Sequence, residues 1–293
     1  MRILLVLLLA LASVRAAIKV DGWTPIFQGV EIARGEADET EPRLQKVAAI
    51  RVDLRAEGVE FFSSPRSALA PWKTTSETTS EFLQHYPLQV AMNANFYAPC
   101  CAAGEKDLIG LAISRGAVVS PAKEQGNGSR ALTITRDNHA AVTATGVGFR
   151  TPNVWTAVAG SEIVLEGGVK PKLADNEFNR TPHPRTAVGV TQDGLYLILM
   201  TIDGRQPGFS VGATMHDVAD WLLRFGASEG LNLDGGGSTA LVRDHAGKPE
   251  ALNQPSGVAL GSSDNAGKTG GECLQRSNGN NFGLLAKPLE PAR

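Results

Sequence analysis

The sequence predicts an α+β fold: mixed, largely antiparallel β-sheets with a few packed helices, in a single domain. Apolar runs of strand length outnumber the segments with helical periodicity. Strands and helices do not alternate regularly, which argues against a doubly wound parallel sheet. Hydrophobic residues make up 42% of the chain and charged residues 20%, as in ordinary globular proteins. No internal repeat or proline-rich linker divides residues 17–293, so we expect them to form one domain.

The chain begins with a segment typical of an export signal. Arg2 is followed by an apolar run from residue 3 to residue 12, and Val14-Arg15-Ala16 fits a small-x-Ala cleavage site. The run is too short to span a bilayer comfortably, and no later stretch is apolar enough to cross one. We therefore expect residues 1–16 to be a signal peptide and the mature protein to be periplasmic or secreted, without stable membrane insertion.

The charge balance of the mature chain is mildly acidic. Removal of Arg2 and Arg15 with the signal peptide lowers the 28 basic residues to 26, against 30 acidic residues, for a formal net charge of −4. Such a chain has no general reason to bind nucleic acid. The sequence leaves the oligomeric state open.

Three cysteines bear on the compartment and on the fold. Cys100 and Cys101 are neighbours, and Cys273 lies far along the chain. In an oxidising compartment one of the pair can bridge to Cys273, whereas a bond between neighbouring residues is strained. We expect one long-range disulfide and one free thiol, with three free thiols as the alternative. No histidine or further cysteine stands at the spacing of a zinc site.

Strands are expected wherever apolar runs are bounded by turn residues. Residues 47–62 read as two strands around a turn, and residues 157–169 as a further short strand pair. Residues 186–203 read as two buried strands around the turn at Asp193-Gly194.

The clearest helical segment covers residues 214–225. Thr214 can cap the first turn, and Asp217 follows three residues later, where a carboxylate is favoured. The apolar residues of one helix face are Met215, Val218, Leu222 and Phe225. A shorter helix is expected over residues 76–85, before Pro87.

The segment from Asp234 to Ser238, Asp-Gly-Gly-Gly-Ser, is the strongest candidate for chemistry. Three glycines let the backbone turn tightly and let a ligand approach it, and consecutive N–H groups in such a turn can hold an anion. Ser238 and Thr239 add hydroxyl groups. Taken alone, however, a glycine triplet is more often a hairpin turn. The segment lacks the lysine of a phosphate loop and is not a Gly-x-Ser-x-Gly elbow.

Charged side chains also stand beside predicted buried strands. Arg185, in His183-Pro-Arg-Thr186, offers a planar fork suited to phosphate or carboxylate, although an isolated arginine there is commonly a surface residue. Asp203 and Arg205 follow a very apolar strand, where they can belong to a site or to an ordinary turn.

Four further polar residues are weaker candidates. Asn93 and Asn95 interrupt an apolar run, so their amides are expected to be buried and hydrogen-bonded. They can bind sugar hydroxyls or brace loops. Arg276 and Asn280 lie in a polar stretch and indicate little alone.

Taken in order, these segments resemble the phosphodiester glycosidase family, which includes the lysosomal uncovering enzyme and exported bacterial proteins. An Asn-x-x-Phe-aromatic segment (residues 93–97) precedes His-Pro-Arg-Thr, a strand, Asp-Gly-Arg, a helix and Asn232-Leu-Asp-Gly-Gly-Gly-Ser. Arg276 and Asn280 resemble the final Arg and Asn positions of the family. The resemblance is clearest over residues 88–286. The family often has Gly where Ala94 stands and an apolar residue where Asn278 stands, which bears on sugar specificity.

The resemblance implies hydrolysis of a sugar-1-phosphodiester in envelope or extracellular polysaccharide, with release of free sugar. Asp234 is then the first choice for stabilising oxocarbenium character or for acid/base work, and Asp203 is the second carboxylate. Arg185 is the expected charge partner of the phosphate, and Glu162 is a weaker candidate. Attack by Asp234 and direct attack by water both stay open.

The other residues expected to contact substrate come from the same segments. They are Asn93, Asn95, His183, Thr186, Arg205, Asn232, Gly235, Gly236, Gly237, Ser238, Thr239, Arg276 and Asn280.

Two other functions share the same candidate residues. A non-catalytic exopolysaccharide-binding or assembly protein would use the same cleft without hydrolysis. Metal-assisted cleavage, with a divalent ion on Asp203 and Asp234, ranks last because a dense carboxylate and histidine set is lacking. No cofactor is expected. Convergence of Arg185, Asp203, Asp234 and Ser238 in one cleft is the structural test.

Overall fold

A computed structural model describes residues 18–38, 43–68, 73–146, 148–257 and 275–290. The predicted signal peptide and Cys273 lie outside the described residues. Strands dominate and the helices are short, so the α+β prediction is confirmed. The helices are α1 (Thr79–His85), α2 (Glu177–Arg180) and α3 (Met215–Arg224), and a 3₁₀ turn covers Gly236–Ser238.

The strands, in chain order, are β1 (Lys19–Val20), β2 (Thr24–Phe27), β3 (Val30–Ala37), β4 (Gln45–Asp53), β5 (Glu60–Ser63), β6 (Lys73–Thr75), β7 (Val90–Asn93), β8 (Tyr97–Ala98), β9 (Glu105–Leu108), β10 (Ala112–Ser114), β11 (Ala117–Ser120), β12 (Arg130–Thr135), β13 (Ala140–Ala144), β14 (Val154–Gly160), β15 (Ile163–Leu165), β16 (Arg185–Thr191), β17 (Tyr196–Ile202), β18 (Ala227–Asn232), β19 (Leu241–His245), β20 (Lys248–Ala251) and β21 (Asn281–Leu285).

These strands form four antiparallel sheets within the described residues. The largest has the order β1-β3-β4-β17-β16-β18-β15, with β2 also paired to β3. Two five-stranded sheets have the orders β11-β10-β14-β12-β13 and β20-β19-β7-β21-β5, and a small sheet has the order β6-β9-β8. The strand pair expected over residues 157–169 is wrong, because β14 pairs with β10 and β12 whereas β15 pairs with β18.

The centre of the eight-stranded sheet is buried on both faces, which explains the continuous apolar run of β17. Leu197 and Leu199 point into a core shared with the two five-stranded sheets. Ile198 and Met200 point to the opposite face, where α3 packs. Because successive side chains of a strand alternate between faces, a strand covered on both sides needs apolar residues at every position.

Helix α3 confirms the capping and periodicity expected over residues 214–225. The Thr214 hydroxyl accepts a hydrogen bond from the backbone N–H of Asp217, whose carboxylate accepts one from the N–H of Thr214. Trp221, in the middle of the helix, donates through Nε1 to Oε1 of Gln45, 2.7 Å away on β4. This bond fixes the helix against the eight-stranded sheet. None of the described helices is long and apolar enough to cross a membrane.

The candidate residues gather where the chain passes from one sheet to another. Strand β18 ends at Asn232 in the eight-stranded sheet, and β19 begins at Leu241 in the sheet that contains β7. The intervening segment is tied to both sheets. The N–H of Leu233 donates to the carbonyl of Thr186, and the N–H of Asp234 donates to that of Ala94. Asp234 therefore lies at the junction.

Candidate active site

A cavity of about 330 Å³ opens at this junction. Charged, aromatic, cysteine and glycine residues from six segments of the chain surround it. The lining residues are Phe96, Cys100, Cys101, Phe178, His183, Arg185, Arg205, Asp234, Gly235, Gly236, Gly237 and Arg276.

Asp234 is held in place through its backbone. Its N–H donates to the carbonyl of Ala94 at 2.9 Å, and its carbonyl accepts from Nδ2 of Asn93 at 2.6 Å. The Oδ1 atom of Asn93 accepts from the Thr186 hydroxyl and from the N–H of Ala240. Asn93 thus links β7, β16 and the start of β19, and it leaves the carboxyl group of Asp234 directed into the cavity.

The carboxyl group of Asp234 is poised for proton transfer. Burial raises the pKa of Asp234 to about 7, against the opposing effects of the Ser238 hydroxyl, the Arg276 charge and the Gly235 N–H. Desolvation outweighs these groups because it penalises the charged form. A carboxyl pKa raised from its ordinary range toward neutrality suits a general acid or base.

The raised pKa of Asp234 carries a stability cost that depends on pH. The ordinary value is 3.8, so the folded chain holds this proton more tightly, and stability falls as pH rises from about 4 to about 7. We expect Asp234→Asn to raise the free energy of unfolding by about 2 kcal/mol at pH 8 and to change it little at pH 4. Urea unfolding at both pH values measures the difference. Equal stability of the two proteins at pH 8 would contradict it.

Arg185 is the best-anchored cation of the cavity. Nε donates to the carbonyl of Ala213 at 2.8 Å, and Nη2 donates to the carbonyls of Phe178 and Thr181 at 2.7 and 2.9 Å. Burial lowers the pKa of Arg185 to about 10, so it stays charged at neutral pH. Nη1 makes no hydrogen bond within the described residues and is the nitrogen left for a ligand.

Two further guanidinium groups add positive charge to the cavity. Arg205 and Arg276 line it beside Arg185, and Asp234 is the single carboxylate among the described lining residues. Burial and the charges of Arg185 and Arg205 lower the pKa of His183, so its ring is neutral at pH 7. Three positive charges around one carboxyl group favour a phosphate or similar anion.

Two of the N–H groups in and beside the glycine turn are already hydrogen-bonded to backbone carbonyls. The N–H of Gly236 donates to the carbonyl of Pro184 and that of Ser238 to the carbonyl of Gly235, so these groups are not available to an anion. A Cβ on Gly237 would lie 2.4 Å from Nη2 of Arg276. Gly236 has φ of 63°, in the left-handed region that glycine tolerates. The glycines therefore make room for arginines, and the arginines supply the positive charge.

One side of the cavity is apolar. Phe96 and Phe178 approach edge to face with ring centroids 6.4 Å apart, and the Arg185 guanidinium lies 4.9 Å from the centroid of Phe178. Arg185 also donates a hydrogen bond to the backbone carbonyl of Phe178, so it holds the Phe178 ring in place beside its own positive charge. Aromatic faces beside charged groups suit a sugar ring attached to a phosphate.

The disulfide expected between the cysteine pair and Cys273 is replaced by a bond between Cys100 and Cys101. The left-handed backbone of Cys101, with φ of 83°, turns its side chain back toward that of Cys100. Nη1 of Arg276 lies 4.0 Å from Sγ of Cys100, so the pair forms part of the cavity wall.

The sequence profile of the phosphodiester glycosidase family matches residues 86–266, which is more than half of the chain. The chain belongs to this family. The match agrees with the resemblance clearest over residues 88–286, although it ends before Arg276 and Asn280. A comparison with curated proteins finds no match.

Two solved structures share the fold of this phosphodiester glycosidase family member. The catalytic domain of zebrafish N-acetylglucosamine-1-phosphodiester alpha-N-acetylglucosaminidase, auto-inhibited by its pro-peptide, has a TM-score of 0.68 and 18% identity, over 92% of this chain and 88% of that one. A hypothetical protein from Synechocystis has a TM-score of 0.57 and 13% identity, over 90% of this chain and 64% of that one.

Several family-motif residues predicted to bind substrate are buried outside the cavity. Asn95 donates to the carbonyl of Leu111 and accepts from Nδ2 of Asn280, so both amides brace the fold. Nδ2 of Asn232 donates to the Ser161 hydroxyl. The predicted residues that do not line the cavity are Asn93, Asn95, Thr186, Asn232, Ser238, Thr239 and Asn280. Of the two readings for Asn93 and Asn95, the structure supports the brace.

Asp203 does not meet Asp234 in the cavity, so the expected convergence of the two carboxylates is wrong. Its Oδ1 accepts from Nδ2 of Asn253 and from the N–H of Gln254, both at 2.9 Å. Arg205, two residues later, has φ of 61°, and this turn sends the two side chains to different cavities. Glu162 also lies outside the cavity that Asp234 lines.

The apolar wall formed by Phe96 and Phe178 was not predicted from the sequence. Phe96 stands in the Asn-x-x-Phe-aromatic segment, so the family motif carried a signal for it. Phe178 belongs to a four-residue helix in a polar loop, and no periodicity or motif marks it. Tyr97 also approaches the site, because burial and the charge of Asp234 raise the pKa of its hydroxyl.

Proposed function

We propose that the mature protein is an exported phosphodiester glycosidase that hydrolyses the C1–O bond of a sugar-1-phosphodiester in envelope or extracellular polysaccharide. The observation that carries this proposal is one cavity in which Arg185, Arg205 and Arg276 surround a single carboxyl group with a pKa of about 7. Family membership supports the same reaction class.

The three arginines bind the phosphodiester monoanion and stabilise the charge that develops when it leaves. Nη1 of Arg185 is free for this contact, and Nε of Arg276 is buried without a partner among the described residues. Donors fixed before the reaction stabilise a developing charge without reorganisation. Phe96 and Phe178 lie against the sugar side of the substrate.

Asp234 acts at the sugar carbon. Its carboxylate takes a proton from water as the water oxygen bonds to C1, and the C1–O bond breaks to release a phosphate monoester dianion. Because a phosphate leaving group needs little protonation, the second carboxylate of many glycosidases is not required. The proton then passes from Asp234 to solvent. Nucleophilic attack by Asp234 itself is the alternative role of the same group.

Hydrolysis in ¹⁸O-labelled water tests the bond that breaks. A panel of sugar-1-phosphodiesters is incubated with the mature protein, and phosphorus NMR follows the products. We expect free reducing sugar and a phosphate monoester without ¹⁸O, because water attacks carbon and not phosphorus. Label in the phosphate would contradict C1–O cleavage. Binding without turnover across the panel would favour the exopolysaccharide-binding alternative.

We also propose that residues 1–16 direct export. The support is the Arg2, apolar run and Ala16 pattern. The full chain expressed in a Gram-negative host is expected to yield a periplasmic product that begins at Ala17 by mass spectrometry. A product of full-length mass confined to the cytoplasm would contradict export.

We propose that the reaction needs no metal or cofactor, with a divalent cation as the alternative. Among the described residues, no three His, Cys, Asp or Glu side chains cluster in a metal-binding arrangement. Activity measured with and without a chelator tests this expectation directly.

A further inference from the structure

A second cavity, of about 390 Å³, opens beside the active site at the same edge of the eight-stranded sheet. It lies over β3 and β4, at the end of β17 and against the segment that follows β20. Asp203 lines it, and so do Phe209, Leu252 and Asn253. The proposed hydrolysis uses none of these residues.

Asp203 presents an unused acceptor to this cavity. Its side chain is 4% exposed, and Oδ1 accepts two hydrogen bonds, from Asn253 and Gln254. Oδ2 has no hydrogen bond to any described residue. This oxygen is open to the cavity that Asp203 lines, where a ligand hydroxyl can donate to it.

The second cavity has equal numbers of basic and acidic lining residues, whereas arginines outnumber the carboxylate in the candidate active site. Three basic and three acidic side chains line it: Lys19, Arg34, Lys46, Asp21, Glu36 and Asp203. Lys46 and Glu36 also pair with each other. Phe209 and Leu252 add an apolar wall. This combination suits a neutral, hydroxyl-rich ligand with an apolar face, such as a sugar ring, and does not favour an anion.

The two cavities are close enough to hold parts of one molecule. Asp203 follows β17 and Asp234 follows β18, and β16 lies between these strands in the sheet. Neighbouring strands lie about 4.8 Å apart, so the ends of β17 and β18 are on the order of 10 Å apart along the sheet edge. The turn Asp203-Gly204-Arg205 separates the cavities, since Arg205 faces the active site.

We propose that the second cavity is a saccharide subsite that binds a neutral sugar unit a short distance from the reacting phosphodiester. The inference rests on the proposed function for the identity of the reacting group, but the subsite can be tested without turnover. The enzyme would then prefer a glycosyl phosphodiester carried on an oligosaccharide to one with a single sugar.

Steady-state kinetics with matched aromatic variants test the preference. The substrates are a single-sugar phosphodiester and the same reacting group extended by a neutral trisaccharide on either side of the phosphate. We expect Phe209→Ala to raise KM about fivefold for an extended substrate and to leave the small one unchanged. Phe178→Ala, the control in the active site, is expected to raise KM for both. An unchanged KM for both extended substrates in Phe209→Ala would overturn the proposal.

Direct binding separates this proposal from the hydrolysis itself. Neutral tetrasaccharides of glucose, galactose and N-acetylglucosamine, without phosphate, are titrated into the wild-type protein and followed by NMR. We expect at least one to bind, and its affinity to fall about fivefold or more in Phe209→Ala and in Asp203→Asn, with thermal unfolding showing that both variants are folded. No binding by any tetrasaccharide, or equal binding by the variants, would overturn the subsite and leave the hydrolysis proposal standing.

Discussion

Asp234→Asn is expected to lower kcat for phosphodiester hydrolysis by about a thousandfold, the largest effect of any single change on activity. The substitution keeps the size of the side chain and removes the group that takes the proton from water. General base catalysis contributes roughly 10²–10⁴ in rate, so a thousandfold loss corresponds to about 4 kcal/mol of transition-state stabilisation. KM is expected to change little, because the arginines that bind the phosphate remain.

The pH profile distinguishes this role from a structural one. In the wild-type enzyme, kcat/KM is expected to fall as pH drops below about 7, because protonation removes the base form of Asp234. The residual activity of Asp234→Asn should lack this fall. Glu162→Gln, a carboxylate outside the cavity, is the matched control and should retain wild-type kinetics. A kcat for Asp234→Asn within tenfold of wild type would exclude Asp234 as the base.

The fold was predictable from the sequence where burial imposes a simple pattern. The turn at Asp193-Gly194 joins two apolar runs, and β16 and β17 pair there with Val190 opposite Leu197. Thr214 and Asp217 predicted the start of α3. The partner of each strand was harder to predict. Short strands such as β15 carry too few residues to specify the sheet that they join.

The sequence predicted which segments of the chain form the site, but it did not predict which way every side chain in them faces. His183, Arg185, Arg205 and Asp234 do share one cavity, as the family order implies. Asp203 and Arg205 are two residues apart, yet they line different cavities, and Arg205 has a left-handed φ of 61°. A sequence pattern shows that a polar residue follows a strand, but the backbone of the turn decides which way it faces.

The chemistry of the amide group explains why three asparagines expected to bind substrate instead brace the fold. Asn93, Asn95 and Asn280 each carry a donor and an acceptor that serve a sugar hydroxyl or a backbone carbonyl equally well. In this fold the amides meet backbone groups and one another at the junction of the sheets. Their role depends on residues that are distant in the sequence. The N–H of Ala159, for example, donates to Oδ1 of Asn95, and no local sequence pattern predicts this contact.

Arg185→Lys is expected to weaken both the fold and substrate binding, the second of the two largest effects. Lysine lacks the planar fork, so it cannot reach the carbonyls of Ala213, Phe178 and Thr181 together. Leaving buried carbonyls without donors is expected to cost about 3 kcal/mol, which corresponds to a fall of about 8 °C in Tm. Loss of one phosphate contact and displacement of Phe178 should lower kcat/KM by about a hundredfold.

Arg276→Lys separates these two effects, because Arg276 lines the same cavity without the three backbone bonds of Arg185. Its Nη1 lies beside Cys100 and its Nε is unpaired among the described residues. We expect this variant to keep the wild-type Tm within about 2 °C, while kcat/KM falls about tenfold through poorer geometry at the phosphate. Differential scanning calorimetry and steady-state kinetics on both variants give the comparison. If both lose the same Tm, the backbone bonds of Arg185 do not anchor the loop that carries Phe178. If neither loses activity, the arginines do not bind the phosphate.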